Sequence, residues 1–320
     1  MSVAACLLLY SFAVVVLGPG LLTRLARTGV APRLGVTVWL VAIGSVVASW
    51  AVAAGFLAGE LVRDWTQPGD TVVSACFAML QQGTLGRYGV LVQIGLLVLA
   101  ALAAAALGRL AWRLARSLLR ARASTHEHAR MARLAGRHVA GLEAVVLDAP
   151  ERAAYCVAGR PHTIVVTSAA LDALNEPHLD AVLCHERAHL AGRHHLILAV
   201  VRGMAAILPR IELFTTGAAE VARLLEMCAD DAAARTHGSR TLLGALLALS
   251  DAAPIPRGAL GATGVGVLTR AQRLAAPPGP VDRMRARLLL TALSALLVVG
   301  PLVTVLLTAA GFAMCDPLGG

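Results

Sequence analysis

Four long stretches of this chain contain no charged residue, and they constrain its fold more than any other feature. They are residues 1–23, 34–59, 88–108 and 288–315. Each can supply the roughly 20 apolar residues that an α-helix needs to cross a hydrocarbon core about 30 Å thick. The sequence therefore predicts four transmembrane helices, and the lipid bilayer is the first expected partner.

The composition agrees with this reading. Hydrophobic residues make up 58% of the 320 residues, charged residues only 15%, and the mean hydropathy is +0.72. A soluble domain is about 25% charged. An alanine-rich soluble helical protein is the alternative. However, the apolar residues here form continuous blocks and do not recur at the spacing of an amphipathic helix. No Arg or Lys precedes the first stretch, which favours an uncleaved anchor over a secretory signal peptide.

Residues 109–287, between the third and fourth apolar stretches, have the composition of a folded domain. Segments rich in Val and Ile at residues 142–148 and 162–171 predict two strands, and the apolar segment 153–159 between them predicts a third. Residues 174–201 predict one helix, with Asn175 as its N-cap and Pro177 in its first turn. The apolar stretch at residues 195–209 is expected to form a helix packed on the membrane surface or on other helices, and a further helix is expected over residues 218–235. The domain is therefore expected to mix helices and strands.

The expected helix at residues 174–201 carries an unusual concentration of titratable groups. His185 and His189 are four residues apart, so both imidazoles project from one face of a helix. Two such nitrogens can bind one Zn²⁺, and Glu186 is offset around the helix from both. Zinc lowers the pKa of a water ligand, and a carboxylate in this position can take its proton during attack on a carbonyl. The spacing is the His-Glu-x-x-His pattern of zinc peptidases.

A catalytic zinc needs a third protein ligand and one open position. The helix at residues 218–235 offers three acidic groups, Glu226, Asp230 and Asp231. Glu226 and Asp230 are four residues apart and share a helix face. One of them can bind zinc while the other accepts a hydrogen bond from a ligand histidine. The longer side chain of Glu226 favours it as the ligand, and a surface ion pair between Glu226 and Arg223 is the alternative.

These motifs resemble the integral-membrane gluzincin peptidases. The resemblance rests on "VLCHERAHLAGRHH", on the preceding "IVVTSAALDALNEPHLDAV" and on the following "EMCADDAA". Within the gluzincins the sequence is most similar to the BlaR/MecR-type antirepressor metallopeptidases, and more distantly to the HtpX-type and CAAX-prenyl endopeptidases. The resemblance implies an α-helical membrane protein with an α+β gluzincin zinc-peptidase domain inserted between the third and fourth transmembrane helices.

The resemblance also implies roles for particular residues. One Zn²⁺ is expected on His185, His189 and Glu226, with Glu186 as the catalytic base and Asp230 as the acidic group beside the third ligand. The strand near residues 154–157 is expected to pair with an extended substrate. That strand contributes Ala154, Tyr155 and Cys156. BlaR/MecR proteins carry a penicillin-binding sensor domain after the fourth span, whereas this chain ends at Gly320, so no β-lactam sensing is expected.

Three other side chains are weaker candidates for contacts with substrate or transition state. His195 follows the zinc motif closely enough to line the site. His237 and Arg283 carry donors that could stabilise an oxyanion. Each of the three has a structural role as its alternative.

Three functions fit these residues. The first is a zinc endopeptidase that cuts a cytoplasmic or membrane-proximal protein, for which a transcriptional repressor is one candidate. The second is a quality-control peptidase for membrane proteins, and the third is a non-catalytic zinc-binding signalling scaffold. The net charge of +9 does not indicate nucleic-acid binding, because no groove-reading or aromatic stacking motif accompanies the arginines. The oligomeric state is left open.

Arginines around the apolar stretches predict the orientation in the membrane. Basic segments are retained on the cytoplasmic side of a bilayer. The arginines cluster after the first and third stretches and before the fourth: Arg24, Arg27, Arg33, Arg109, Arg113, Arg116, Arg120, Arg122, Arg283, Arg285 and Arg287. The segment between the second and third stretches is nearly neutral. We therefore expect a multi-pass protein of the cell (inner) membrane, with residues 109–287 in the cytoplasm and both termini outside.

This orientation can be tested with single cysteines in a cysteine-free background. We predict that an impermeant maleimide labels intact cells carrying Asp70→Cys and does not label those carrying Thr125→Cys. Permeabilised cells, in which both positions react, are the control. Labelling of Thr125→Cys alone in intact cells would reverse the topology.

Overall fold

The computed structural model of the chain describes residues 3–66, 90–139, 142–159, 161–250, 260–261 and 266–314. Ten helices lie in this part of the chain. They are α1 (Val3–Ala26), α2 (Pro32–Thr66), α3 (Val90–Ala135), α4 (Ser168–Ala173), α5 (Glu176–Ala191), α6 (His194–Ile207), α7 (Glu212–His237), α8 (Ser239–Ser250), α9 (Val267–Ala275) and α10 (Pro280–Met314). The sequence Gln67-Pro68-Gly69-Asp70 predicts a turn, and that segment lies outside the described residues.

Five strands in the described part of the chain form one sheet, in the order β1-β2-β4-β3-β5. They are β1 (Arg137–His138), β2 (Val145–Leu147), β3 (Ala154–Val157), β4 (Thr163–Thr167) and β5 (Leu260–Gly261). The three predicted strands are confirmed as β2, β3 and β4, each shorter than predicted. The strands β1 and β5 have two residues each, too few to give an alternation that sequence reasoning can detect.

The sheet is covered by helices on both faces. Alternate residues of β3 point to opposite sides, as strand geometry requires. Ala154 and Cys156 join the core formed with α5 and α8, whereas Tyr155 and Val157 join the core formed with the end of α3. Both faces of the central strands are therefore buried, which explains their near-continuous runs of Val and Ile.

Helix α5 begins where the sequence predicts. The side chain of Asn175 accepts a hydrogen bond from the backbone N–H of His178 at 3.0 Å, and Pro177 lies in the first turn. The N-cap prediction is confirmed. This cap fixes the start of the helix that carries the zinc motif, because it satisfies one of the N–H groups that a helix leaves free at its N-terminus.

The single helix predicted over residues 174–201 is wrong at its centre. Helix α5 ends at Ala191, and α6 begins at His194 after a bend of 61°. Arg193 forms the bend with φ 50° and ψ 36°, a left-handed conformation that is uncommon for a residue other than glycine. Gly192 is a helix-stop signal at this point, but the apolar residues at helical spacing on both sides of it favour one continuous helix.

The chain divides into two compact units. The first comprises Met1–Gly18, Val41–Ala115 and Ala295–Gly320, and the second comprises Pro19–Leu40 and Arg116–Ser294. Within the first unit, hydrogen bonds join the described helical segments. Tyr10 donates to the backbone oxygen of Leu297 at 2.9 Å, and Trp50 donates to Ser11 at 3.0 Å. Such bonds satisfy polar groups where no water is available.

Three helical segments in the described residues are long and apolar enough to cross a membrane. They are Ala5–Ala26, Pro32–Phe56 and Pro280–Leu306. Helices α5 and α6 together pass the same test of length and composition as one broken span. We do not treat that pair as a span, because α5 carries the charged and histidine side chains of the zinc motif. The third predicted span, residues 88–108, begins outside the described residues, and its side chains up to residue 107 are not described.

In the second unit, the loop between α1 and α2 is docked on α7 and α9. Arg223 donates to the backbone oxygens of Ala26 and Arg27 at 2.9 and 3.2 Å, and Arg273 donates to that of Gly29 at 2.9 Å. Gly29 has φ 61° and lies against the sulfur of Met227. The loop therefore needs a residue that tolerates a positive φ and has no Cβ.

We predict that Gly29→Ala lowers the free energy of unfolding more than Gly266→Ala does. The two glycines have nearly the same φ, 61° and 63°, but a Cβ at Gly266 meets only Cγ of Arg223 at 3.8 Å, whereas one at Gly29 overlaps Met227. The matched pair separates backbone strain, about 1–2 kcal/mol, from overpacking, which adds about 1–3 kcal/mol. Thermal unfolding in detergent measures the difference, and equal losses would show that the loop can move away from α7.

Candidate metal centre

Helices α5 and α7 bring together the three predicted zinc ligands. The Nε2 atoms of His185 and His189, one helical turn apart, are separated by 3.1 Å. Oxygens of the Glu226 carboxylate lie 3.5 Å from each of these nitrogens. All three side chains are buried, and their candidate ligand atoms lie within 4.8 Å of one another. Residues from two separate helices therefore converge on one point.

These separations fit a tetrahedral metal ion. Zinc binds nitrogen and carboxylate oxygen at about 2.0–2.2 Å, so two ligands of a tetrahedral site lie roughly 3.3–3.6 Å apart. The observed separations of 3.1 and 3.5 Å are close to this range. Two imidazoles and one carboxylate are also a donor set that zinc accepts in catalytic sites.

The buried charges around the cluster also favour a cation. Glu186, Glu226 and Asp230 are buried carboxylates, and Arg270 is the buried guanidinium beside them. Glu226 and Asp230 together carry two negative charges against the one positive charge of Arg270, so one negative charge remains that a cation would compensate. Burial alone would lower the pKa of His185, but the carboxylates of Asp230 and Glu226 raise it to about 10. The protein therefore favours positive charge at the position of this imidazole.

Asp230 and Arg270 form an ion pair that contacts the cluster. Arg270 donates from Nε and Nη2 to the two oxygens of Asp230 at 2.8 and 2.7 Å, and its Nη1 lies 3.2 Å from Glu226. Burial opposes ionisation of Asp230, but the guanidinium keeps its pKa well below the usual range. Asp230 Oδ1 lies 3.1 Å from Nδ1 of His185, although the N–H direction is not aligned for a hydrogen bond. The contact nevertheless places a negative charge behind that ligand.

His189 is contacted by a third histidine. Its Nδ1 lies 2.8 Å from Nδ1 of His194, the first residue of α6. Burial lowers the pKa of His194 to about 4 and that of His189 to about 3, so both rings are neutral near pH 7. The two ligand histidines thus have different partners, a carboxylate for His185 and an imidazole for His189.

Glu186 lies beside the cluster without joining it. The carboxylate is fully buried, and neither oxygen makes a hydrogen bond within the described part of the chain. Burial raises the pKa of Glu186 to about 8. The thiol of Cys156 is a close neighbour, and its pKa is raised by burial and by the charge of Glu186. A buried carboxylate with an elevated pKa and free lone pairs is suited to accept and release a proton.

The strand expected to pair with substrate is β3, and part of its edge is covered. Strand β5 pairs antiparallel with it, so that Tyr155 lies opposite Gly261 and Cys156 opposite Leu260. On the other edge β3 pairs with β4 from Ala154 to Val157. An extended substrate could pair with β3 at these two positions only by displacing β5.

The three weaker candidates are not placed in the cluster. The ring of His195 lies 6.2 Å from that of His162. His237 ends α7, three turns beyond Glu226, and Arg283 is exposed in the first turn of α10. Asp231, an alternative third ligand, forms an ion pair with Arg273 instead. Within the described residues the geometry therefore favours Glu226 as third ligand.

Sequence reasoning missed Arg270 and the contact that His194 makes. Arg270 lies 40 residues after Asp230, and no spacing rule connects an arginine in α9 with a carboxylate in α7. His194, like His195, follows the zinc motif closely enough to line the site, but a continuous helix would not bring it back to His189. The signal available in the sequence was the position of Arg270 on the apolar face of an amphipathic segment. A charge on such a face is rarely buried without a partner.

Comparison with known proteins bears on this site. Residues 119–211 match the model of peptidase family M48. The match covers less than a third of the chain and includes His185, Glu186 and His189, but it ends before Glu226. It supports the resemblance to membrane metallopeptidases at the level of this family and does not test the BlaR/MecR subgroup, which stays a prediction.

Two other comparisons add little. No curated protein matches the chain. Among solved structures, the crystal structure of S. mikatae Ste24p matches with 15% sequence identity over 89% of this chain and 99% of that chain, at a TM-score of 0.29. A likeness at that TM-score carries no conclusion about the fold or the function of this chain.

We predict that Glu226→Ala abolishes stoichiometric zinc binding, whereas Asp230→Asn weakens it about 10–100-fold, as the loss of a group that orients a ligand does. Asp231→Asn is the matched control, because Asp231 is adjacent in sequence but pairs with Arg273. Zinc affinity of the purified variants is measured by competition with a chromogenic chelator. If Asp230→Asn loses zinc and Glu226→Ala keeps it, the two roles are reversed.

Proposed function

We propose that this chain is an integral-membrane zinc endopeptidase. The observation that carries the proposal is the buried cluster of His185, His189 and Glu226, with the free carboxylate of Glu186 beside it. The match of residues 119–211 to a peptidase family supports the same reading. A structural zinc site is generally closed by four protein ligands, whereas three ligands leave a position for the reaction.

The chemistry follows from where the side chains lie. When bound, zinc would polarise the scissile carbonyl and lower the pKa of water in the site. Glu186 accepts a proton from the water while the oxygen of that water attacks the carbonyl carbon. The same carboxyl group then donates that proton to the amide nitrogen as the C–N bond breaks, so the base is restored after each turnover. Its elevated pKa suits both steps, because a carboxylate with a raised pKa is a stronger base and its protonated form is an accessible proton donor near neutral pH.

The proposal places the substrate at the cytoplasmic side of the membrane. Three described helices are apolar enough to span, and the arginines that flank the apolar stretches favour retention of residues 109–287 in the cytoplasm. We further propose, in line with the BlaR/MecR resemblance, that the substrate is a regulatory protein such as a transcriptional repressor. Quality control of membrane proteins is the alternative that the experiments below distinguish.

A non-catalytic scaffold fits the site less well. Such a protein needs zinc ligands but has no use for a buried carboxylate whose oxygens lack hydrogen bonds. Leaving a buried polar group without a partner costs about 1–3 kcal/mol. Glu186 bears this cost on both of its oxygens, beside a carboxylate, Asp230, that is fully paired with Arg270. A destabilising arrangement of this kind is typical of functional sites.

We predict that Glu186→Gln keeps one zinc per chain and loses peptidase activity. The amide cannot accept the proton of the attacking water, so cleavage of a fluorescent casein should fall by about 10²–10⁴-fold. Glu143→Gln is the matched control, because Glu143 is exposed and forms only a surface ion pair with Arg187. Undiminished cleavage by metal-loaded Glu186→Gln would contradict the assignment.

The substrate class is tested in cells that carry the same variant. Comparative proteomics of wild-type and Glu186→Gln cells should show one protein fragment that disappears in the variant. A fragment of a soluble regulator supports regulated proteolysis. Accumulation of many intact membrane proteins would instead indicate a quality-control peptidase.

A further inference from the structure

We propose that His194 is a positioning residue that holds the imidazole of His189 in the orientation and tautomer needed to bind the metal. This inference rests on the proposed zinc site and adds a residue to its machinery. His194 is not part of the His-Glu-x-x-His pattern and does not reach the cluster of ligand atoms. It acts through its 2.8 Å contact with Nδ1 of His189.

The tautomer follows from which atoms face the cluster. Nε2 of His189 points toward Nε2 of His185 and the carboxylate of Glu226. A metal at this point needs the lone pair of Nε2, so the proton of a neutral His189 ring must be on Nδ1. Nδ1–H of His189 then donates to Nδ1 of His194, which accepts with its own lone pair. Ligand histidines generally donate in this way to a carboxylate, a carbonyl or water.

The backbone around His194 is shaped to make this contact. The chain turns sharply between α5 and α6 because Arg193 adopts a left-handed conformation at φ 50°. This turn directs the first side chain of α6 back toward the end of α5. A straight continuation of α5 would place residues 189 and 194 five positions apart, on different faces. The uncommon conformation of Arg193 therefore has an identifiable consequence at the metal site.

Gly192 provides the space for the imidazole. A Cβ at this position would overlap Nε2 of His194 and lie 2.6 Å from its Cδ2. The backbone of Gly192 has φ −77° and ψ −3°, which any residue can adopt. The glycine is thus not required by the backbone conformation. It is required by the ring that packs against it.

Substitutions at His194 test the hydrogen-bond acceptor. His194→Leu fills much of the same volume but cannot accept, and we expect its zinc affinity to fall about 10–100-fold. His194→Asn places an oxygen near the position of Nδ1 and should retain most of the wild-type affinity. His195→Leu is the matched control, because His195 is the next residue of the same helix and contacts His162 instead.

Gly192→Ala displaces the ring while leaving His194 itself intact. Alanine fits the backbone conformation at this position, so the expected loss of stability comes from the displaced ring alone, and zinc affinity should fall like that of His194→Leu. Thermal unfolding of the metal-free proteins reports on folding. Zinc affinity by chelator competition and the visible spectrum of the Co²⁺-loaded proteins report on the site.

Low affinity in His194→Leu and Gly192→Ala, together with near-normal affinity in His194→Asn, supports the proposal. Wild-type affinity in His194→Leu overturns it, as does an equal loss in His194→Asn. If the wild-type protein itself binds neither Zn²⁺ nor Co²⁺, the proposed zinc site fails and this inference fails with it. The two failures are therefore distinguishable in one set of measurements.

Discussion

The site depends on the ion pairs that the buried guanidinium of Arg270 forms with two carboxylates. This side chain binds Asp230 through two hydrogen bonds and approaches Glu226 at 3.2 Å, with 1% of its surface exposed. Removing a guanidinium from water is costly unless its hydrogen bonds and charge are matched. The carboxylates provide that match, and Arg270 in turn keeps them ionised in the interior. Loss of either partner would leave an uncompensated buried charge.

From this pair the arrangement extends to the candidate metal cluster. Asp230 lies beside His185, and Glu226 faces both His185 and His189. His194 contacts His189 across the bend between α5 and α6. Each residue of the cluster is therefore contacted by a side chain from another helix. Contacts of this kind hold the three side chains in place and would reduce the cost of organising a metal site.

The parts of the site that lie close together in sequence could be predicted, and the others could not. The spacing of His185 and His189 and the cap at Asn175 follow from helix geometry, which repeats locally. Arg270 is brought to Asp230 only by the packing of α9 on α8 and α7, in a core that includes Leu242, Leu246 and Leu274. The bend at Arg193 runs against the preference of an L-residue, so local propensity predicts a helix there. Strand β5 is too short to leave a pattern.

X-ray absorption at the zinc edge of the purified wild-type protein tests the central claim most directly. The claim predicts one zinc per chain, bound only by nitrogen and oxygen at about 2.0–2.2 Å, with the multiple-scattering signature of two imidazoles. A sulfur ligand at about 2.3 Å would contradict it, because Cys184 and Cys228 adjoin the motif residues in sequence and neither belongs to the cluster. Absence of the two-imidazole signature would contradict it equally.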